Sequence, residues 1–237
     1  MRNPLLLPLL LLIAGCSNQT PYATTIGSLA PGSKMTVSLA RGVLDAYHPA
    51  SGDPANRFTI SATARKREPQ PAAPQLRSSN GGVTVSAGPL AELLVRVPEG
   101  VNLVVNARDG NVNVTDITGN ADIIVGKGDV DAMLPGYAQA HAGSGDVSVR
   151  MGSEDWPGTL RFSTGRGNVD VWIRDRASFH VHLHTSNGTI FTDFNLRGSS
   201  QGRSETIDGN VNGGGSHGVD IETSAGEVRL LQLHPQP

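Results

Sequence analysis

Aromatic residues, charge and cysteine are all scarce in this chain of 237 residues. Aromatic residues make up 4% and charged residues 17%, with a formal net charge of −2. A nucleic-acid-binding protein needs a basic face to neutralise phosphates, so the balanced charge excludes that class. The single cysteine excludes an intramolecular disulfide, and the fold must therefore be stabilised by packing alone.

Glycine, in contrast, is abundant, with 29 residues, and it follows no G-X-Y period that would indicate collagen. Hydrophobic residues make up 38% of the chain, which is enough for a packed core and argues against wholesale disorder. Many glycines together with few aromatic and charged residues favour a β protein with many turns.

The amino-terminal sixteen residues have the features of an export signal. A short positive segment, Met1-Arg2-Asn3, precedes an apolar run from Leu5 to Ile13, which is too short to span a bilayer as a mature helix. The run ends in Ile13-Ala14-Gly15-Cys16, which resembles the lipobox of bacterial lipoproteins. An ordinary secretory signal with an incidental cysteine is the alternative.

The lipobox resemblance implies cleavage after residue 15 and attachment of acyl chains, palmitate among them, to Cys16. Several acyl chains anchor a protein stably, whereas a single chain is marginal. Residues 1–15 are then a lipoprotein signal peptide, and residues 16–33 are expected to be a lipidated cysteine and a flexible tether. Ser17, in place of an aspartate, favours the outer membrane, facing either the periplasm or the exterior.

A repeat centred on glycine governs the rest of the chain. Relative to each glycine, positions −7, −5, −3, +2 and +4 are apolar or threonine in all 35 cases, and 18 of the 21 residues at −6, −4 and +3 are polar. This alternation is typical of half-buried strands on both sides of a glycine corner. A degenerate unit at Gly209 fills the interval before the last glycine. The seven full units are centred on Gly42, Gly110, Gly128, Gly145, Gly167, Gly188 and Gly226.

Two architectures satisfy this local pattern. In a parallel β-solenoid each unit is one coil stacked on the next, whereas in an antiparallel hairpin meander or sandwich each unit is a hairpin. The recurrence of one register at one-coil spacing favours the solenoid. We therefore predict a single all-β domain over residues 34–233, a parallel β-helix of roughly ten short coils, and a tail over residues 234–237.

A family resemblance rests on Val97-Pro98-Glu99-Gly100, Asn212-Gly213-Gly214-Gly215 and Thr223-Ser224-Ala225-Gly226-Glu227-Val228, besides the glycine units. These segments look like the bacterial "putative adhesin" family of β-strand-repeat envelope proteins, a domain of unknown function. The resemblance covers roughly residues 34 to 233. It implies a β-solenoid fold and an envelope location, and it brings no catalytic residues.

Three groups of outward residues are candidate sites. His182 and His184 lie on one strand face and could share a zinc or copper ion, although a solvated strand face is the alternative and we predict no metal centre. Trp172 and Phe191 are a candidate partner-contact surface, for which cover by a neighbouring loop is the alternative.

Asp131 and Asp170, two coils apart, have a spacing that would suit an inverting carboxylate pair. Outward acidic residues are nevertheless the default on a solvated strand, so we predict no catalytic residues and no cofactor.

The sequence thus predicts a lipid-anchored, non-catalytic, adhesin-like binding or scaffold protein of the bacterial cell envelope. Its partners would be the membrane, through Cys16, and an envelope polysaccharide or protein, but not nucleic acid. An accessory or sensor component of envelope-stress signalling is the alternative, and a polysaccharide-active β-helix enzyme is a second one.

Overall fold

A computed structural model describes residues 21–48, 54–79 and 81–234, and these residues form an all-β structure. In this described part, no helix is long and apolar enough to cross a membrane. The strands are β1 (Ala23–Ser28), β2 (Lys34–Tyr47), β3 (Arg57–Thr63), β4 (Gln75–Ser79), β5 (Gly82–Arg96), β6 (Asn102–Asp109), β7 (Val112–Thr115), β8 (Ala121–Lys127), β9 (Val130–Leu134), β10 (Ala138–Ala142), β11 (Val147–Met151), β12 (Thr159–Thr164), β13 (Val169–Arg174), β14 (Phe179–Thr185), β15 (Ile190–Thr192), β16 (Gly198–Gln201), β17 (Ser204–Val211), β18 (Gly218–Thr223) and β19 (Val228–Leu233).

Each glycine unit forms one coil of a parallel β-solenoid. The strand before the glycine pairs in parallel with the equivalent strand of the next coil, as in β6–β8 and β8–β10, rather than with the strand after its own glycine. The strands after the glycines pair in the same way, as in β7–β9 and β9–β11. The pairing therefore confirms the solenoid, and it does not form the hairpin meander.

The coils build two facing layers, which we call the first-arm sheet and the second-arm sheet. They are joined through β2 and β5, which run without a break across the corner. The first-arm sheet has the order β4-β5-β2-β6-β8-β10-β12-β18-β14-β17-β16. The second-arm sheet has the order β1-β3-β5-β2-β7-β9-β11-β13-β19-β15.

The core lies between the two sheets and consists of the inward side chains that the repeat predicts. Of the 35 inward positions, all are buried except Ile190 and Thr192, which lie on β15 in the last coil of the stack. Small residues such as Ala138, Ala140 and Ala142 fill the narrow interior at mid-stack. Because each coil buries its inward side chains against its neighbours, the stack is stabilised as one continuous core.

The corner glycines form a column along the stack. Gly110, Gly128, Gly145 and Gly167 have φ values between +131° and +139°, a region that side chains disfavour. A Cβ atom on Gly145 would overlap the carbonyl oxygen of Gly128 in the neighbouring coil.

A second column of hydrogen bonds runs beside the glycines. Four side-chain oxygens that directly follow corner glycines each accept a hydrogen bond from the equivalent backbone N–H of the next coil. The bonds join Asp129 to Asn111, Asp146 to Asp129, Asn168 to Asp146 and Glu227 to Asn168, the first residue of each pair being the donor.

The coils do not stack in the order of the sequence. The coil that is first in the sequence, β2, lies between β5 and β6. The coil that is last in the sequence, β18–β19, lies between β12–β13 and β14–β15. The described residues contain eight parallel coils rather than roughly ten. The predicted number of coils was too high because two of the segments do not form parallel coils. β17, which holds Gly209, pairs antiparallel with β14, and β3 pairs antiparallel with β5.

Antiparallel strands cover both ends of the first-arm sheet and one end of the second-arm sheet. β3 and β4 pair with β5 at one end, and β1 extends the layer by pairing with β3, while β17 and β16 cover β14 at the other end. The edge strands β1, β4 and β16 are thus short and mostly polar, an arrangement that limits edge-to-edge association. At the other end of the second-arm sheet the edge is β15, a strand of three residues.

The prediction of a flexible tether over residues 16–33 requires a correction. Six consecutive residues, Ala23–Ser28, form β1 and pair residue by residue with β3. Their side chains alternate between half-buried and exposed, so the segment belongs to the edge of the second-arm sheet. The ordered body therefore begins at least eleven residues before the predicted boundary at residue 34.

Candidate functional site

The outward side chains of the first-arm sheet align in two rows, because equivalent residues of adjacent coils lie side by side. The first row, in stacking order, is Thr36, Val104, Asp122, Gln139, Arg161, Asp220, His182 and Asp208. The second row is Ser38, Asn106, Ile124, His141, Ser163, Glu222, His184 and Thr206.

Three open clefts follow these rows across the sheet. One of about 600 Å³ lies beside Ala72 and Ala73 and reaches Ile124. A second of about 260 Å³ extends from Ile124 to His141 and Ser163, and a third of about 260 Å³ continues from those two residues to β14. The first two clefts share Ile124 and the last two share His141 and Ser163, so the three adjoin one another; we call this series of clefts the first-arm groove. It crosses the strands and runs along the solenoid axis.

The chemistry of the groove changes along its length. Near Ala72 it is mainly apolar, and its polar lining consists of Ser38, Gln75, Ser86, Asn106 and Arg108. Toward β14 the lining consists of hydroxyl, imidazole and carboxylate groups. Both cation and carboxylate side chains line the groove, so it carries no strong field of one sign.

At the β14 end of the rows lies an imidazole–carboxylate cluster formed by His182, Asp208, Asp220 and Glu222. His182 is opposite Asp220 on β18 and opposite Asp208 on β17. Nδ1 of His182 is 2.6 Å from Oδ1 of Asp208, and Nε2 is 4.0 Å from Oε1 of Glu222. The hydrogen bond to Asp208 raises the pKa of His182 above its usual 6.5, partial burial opposes this effect, and the charges of all three carboxylates add to it.

His184 does not share a ligand set with His182. The two rings stack with centroids 6.3 Å apart, but Nδ1 of His184 contacts Oγ1 of Thr206 at 3.0 Å and Nε2 contacts Oγ of Ser186 at 3.2 Å. The sequence-based pairing of the two imidazoles as metal candidates is therefore corrected. The groups that could hold an ion with His182 are Asp220 and Glu222.

A second imidazole contact lies in the middle of the groove, where Nδ1 of His141 is 2.8 Å from Oγ of Ser163. Activation of a serine nucleophile also requires a third group that orients the base. No hydrogen bond to Nε2 of His141 is formed within the described residues. The pair is therefore better suited to hydrogen bonding of a ligand than to covalent catalysis.

On the second-arm sheet, Asp131 and Asp170 lie two coils apart with Ser148 between them, as their register predicts. Each carboxylate has a cationic partner. Arg229 forms a bidentate contact with Asp170, through Nε at 2.6 Å and through Nη2, and Arg150 lies 3.5 Å from Asp131. These ion pairs engage both carboxylates with arginine side chains, which disfavours a role as a catalytic carboxylate pair.

Trp172 and Phe191 also lie on the second-arm sheet, but not in successive coils of the stack. β19 separates their strands, so that Leu231 is beside Trp172 and Arg229 is beside Phe191. Phe191 is 56% exposed, and Trp172 is half-buried under the guanidinium of Arg150, 4.1 Å from the ring centroid. The candidate contact surface is thus an aromatic and arginine strip on the face opposite the groove. Cys16, the predicted lipidation residue, lies outside the described residues.

Sequence reasoning did not identify Asp208 or Asp220 as site residues. In the glycine repeat, equivalent residues of β14 and β18 pair, so that Glu222 lies opposite His184 and Asp220 lies opposite His182. This pairing is encoded in the sequence, because His182 and Asp220 are each six residues before a corner glycine and His184 and Glu222 are each four residues before one. Asp208 carried no comparable signal, since it faces His182 only because β17 runs antiparallel.

Comparison with known proteins gives a family and two remote matches among solved structures. No curated protein matches the sequence. Two solved structures are similar over most of their length. A "putative cell adhesion protein" from Clostridium sporogenes is 11% identical, with 90% of this chain and 100% of that chain covered and a TM-score of 0.48. A "putative adhesin" from Parabacteroides distasonis is 7% identical, with coverages of 89% and 96% and a TM-score of 0.26.

The family model described as Toastrack DUF4097 matches residues 75–231, which span the coils from β4 to β19. The match confirms the resemblance to a β-repeat family of unknown function that the sequence indicated. The chain belongs to the Toastrack DUF4097 family.

Proposed function

We propose that this protein is a non-catalytic binding protein of the bacterial envelope, and that the first-arm groove holds one extended polymer chain. The observation that carries the proposal is the series of adjoining clefts that crosses the sheet from the segment beside Ala72 to β14. Strands stacked about 4.8 Å apart give such a channel a length of several monomer units, which a small compact ligand would not fill.

The lining of the groove favours a polysaccharide as the polymer. Side chains of Ser38, Asn106, Gln139 and Ser163 can donate to and accept from sugar hydroxyl groups. Ile124, 46% exposed, offers an apolar surface between them. The balanced charge of the lining suits a chain with few or no charges better than a densely charged polyanion.

The anchoring part of the proposal rests on the sequence. The lipobox-like segment before Cys16 supports attachment to the outer membrane by acyl chains. The solenoid would then present the groove to the polymers that surround that membrane. The absence of catalysis is proposed because Asp131 and Asp170 are engaged with arginines and because the His141–Ser163 contact has no third member.

Binding of soluble linear glycans tests the proposal, beginning with the glycan strands of peptidoglycan and continuing with a panel of envelope polysaccharides. Ser163→Trp places an indole in the middle of the groove and is expected to abolish binding. Ser148→Trp is the matched control, because Ser148 is an outward serine at mid-stack on the opposite sheet. Equal loss in both variants, or binding that Ser163→Trp leaves intact, would contradict the proposal.

A further inference from the structure

We propose that His182, Asp220 and Glu222 form a binding site for one divalent transition-metal ion, with Zn²⁺ as the best fit. One ligand atom from each of the three residues lies within 4.8 Å of the others. The site does not depend on the binding of a polymer in the groove. Three features support it: the state of the His182 ring, the state of Asp220, and the match between the cluster and the metal.

The first feature is the state of the His182 ring. Its Nδ1 is engaged with Asp208 at 2.6 Å, so that the proton of the neutral ring is held on this nitrogen. Nε2 then carries the lone pair of the ring, and Oε1 of Glu222 is 4.0 Å from this nitrogen. A carboxylate that receives the distal N–H of a histidine is the usual outer partner of a metal-binding imidazole, because it fixes the tautomer and raises the basicity of the ligand nitrogen.

The second feature is the state of Asp220. Its Oδ1 is buried and has no hydrogen-bond partner among the described residues, and Oδ2 is 3.9 Å from Nε of the largely exposed Arg161. A buried carboxylate oxygen without a hydrogen bond is costly, since it has lost contact with water and gained no protein donor. A cation bound at this oxygen would provide the missing interaction.

The third feature is the match between the cluster and the metal. Three ligands at about 2.0–2.2 Å from a tetrahedral ion are separated by about 3.4 Å, so small torsional changes would close the observed spacing. Glu222 is 53% exposed and therefore has the freedom to move. One imidazole and two carboxylates suit Zn²⁺, and three protein ligands leave a coordination position open for water or for an oxygen of a bound molecule. Glu222 also lines the end of the first-arm groove, so this open position is close to the groove.

Zinc titration of the full-length chain by calorimetry tests the site, with the protein free of affinity tags, purified in detergent and stripped of metal by a chelator. The wild type is expected to bind one ion. Glu222→Gln and Asp220→Asn are each expected to weaken binding more than about tenfold, and Asp208→Asn, which removes the group that positions the ring, by about tenfold or more. Asp122→Asn is the matched control, because Asp122 is an outward aspartate of the same row and is three strands from Asp220.

Visible absorption of the Co²⁺-loaded protein gives a second readout, because its intensity reports the coordination number. A spectrum typical of four-coordinate Co²⁺ is expected, and it should be lost in Glu222→Gln. Glu222 is largely exposed, so this variant keeps the fold and decides the question even if Asp220→Asn does not fold. A wild-type protein that binds no zinc, or one whose affinity is unchanged by Glu222→Gln, would overturn the proposal.

Discussion

The corner glycine Gly145 lies directly against the carbonyl oxygen of Gly128 in the neighbouring coil, and no Cβ atom can be placed between them. Gly145 also has a φ of +132°. The contact recurs along the column of corner glycines. The abundance of glycine in the sequence is therefore a direct consequence of coils that approach each other through their backbones.

Substitution of this corner residue should be strongly destabilising. Gly145→Ala is expected to lower the free energy of unfolding by about 3 kcal/mol or more, because the backbone strain adds to the clash with Gly128. Denaturant unfolding followed by circular dichroism measures the change. Gly88→Ala is the control, since no atom lies within 4 Å of a Cβ built there. A loss of the same size in both variants would show that the corner contact is unimportant.

The inward threonines near the carboxyl end of the stack act through hydrogen bonds as well as through packing. Oγ1 of Thr223, a residue that is 2% exposed, donates to the carbonyl oxygen of Gly167 at 2.9 Å. Thr223→Val keeps the shape but removes the donor, and is expected to cost about 1 kcal/mol of unfolding free energy. Thr115→Val, at an exposed site on β7, should have almost no effect. If Thr223→Val is neutral in the same assay, the hydrogen bond contributes nothing to stability.

Glu92 makes stability depend on pH. Partial burial, together with the hydrogen bond and charge of Asp45, raises the pKa of Glu92 above its usual 4.5. The folded state therefore holds this proton more tightly than the unfolded state does, and stability falls as pH rises from 4.5 through the folded-state pKa. Glu92→Gln should be more stable than the wild type at about pH 7, with the difference shrinking below about pH 4.5. A difference that is independent of pH would contradict this assignment.

The aromatic and arginine strip should not take part in glycan binding. Trp172→Ala and Phe191→Ala, separately or together, are expected to leave the affinity for soluble glycans unchanged, because both side chains lie on the second-arm sheet. Calorimetric titration with the glycans used for the Ser163→Trp and Ser148→Trp variants measures this affinity. Loss of binding in these variants, with Ser163→Trp unaffected, would transfer the binding surface to the opposite face.

Anchoring is tested separately from binding. Cys16→Ser is expected to remove metabolic labelling by palmitate and to release the protein from the membrane fraction of its own cells. Glycan binding by the released protein should be unchanged, because no residue of the groove is altered. Persistent labelling of the variant would contradict the assignment of Cys16 as the lipidated residue.

Local features of this fold can be predicted from the sequence, whereas the order of its coils cannot. Period-two alternation and a corner glycine are encoded within a few residues, and 33 of the 35 inward positions that they specify are buried. The insertion of β18–β19 between β12–β13 and β14–β15 depends on contacts between distant segments, and no local pattern specifies it.

The cluster around His182 shows the consequence for site prediction. His182 and Asp220 are 38 residues apart, and the unit at Gly209 suggested that a further coil would lie between them. They became neighbours because β17 leaves the parallel stack and covers its end. The register was thus predictable, but the adjacency of the two residues was not.

The central claim, that the first-arm groove holds a glycan chain, is tested most directly by hydroxyl-radical footprinting with and without peptidoglycan glycan strands. Ile124 lies in the groove and Met133 lies on the second-arm sheet, and both side chains are 46% exposed. The account predicts that glycan strands protect Ile124 and His141 from labelling and leave Met133 unchanged. Protection of Met133 with unchanged labelling of Ile124 and His141 would contradict it.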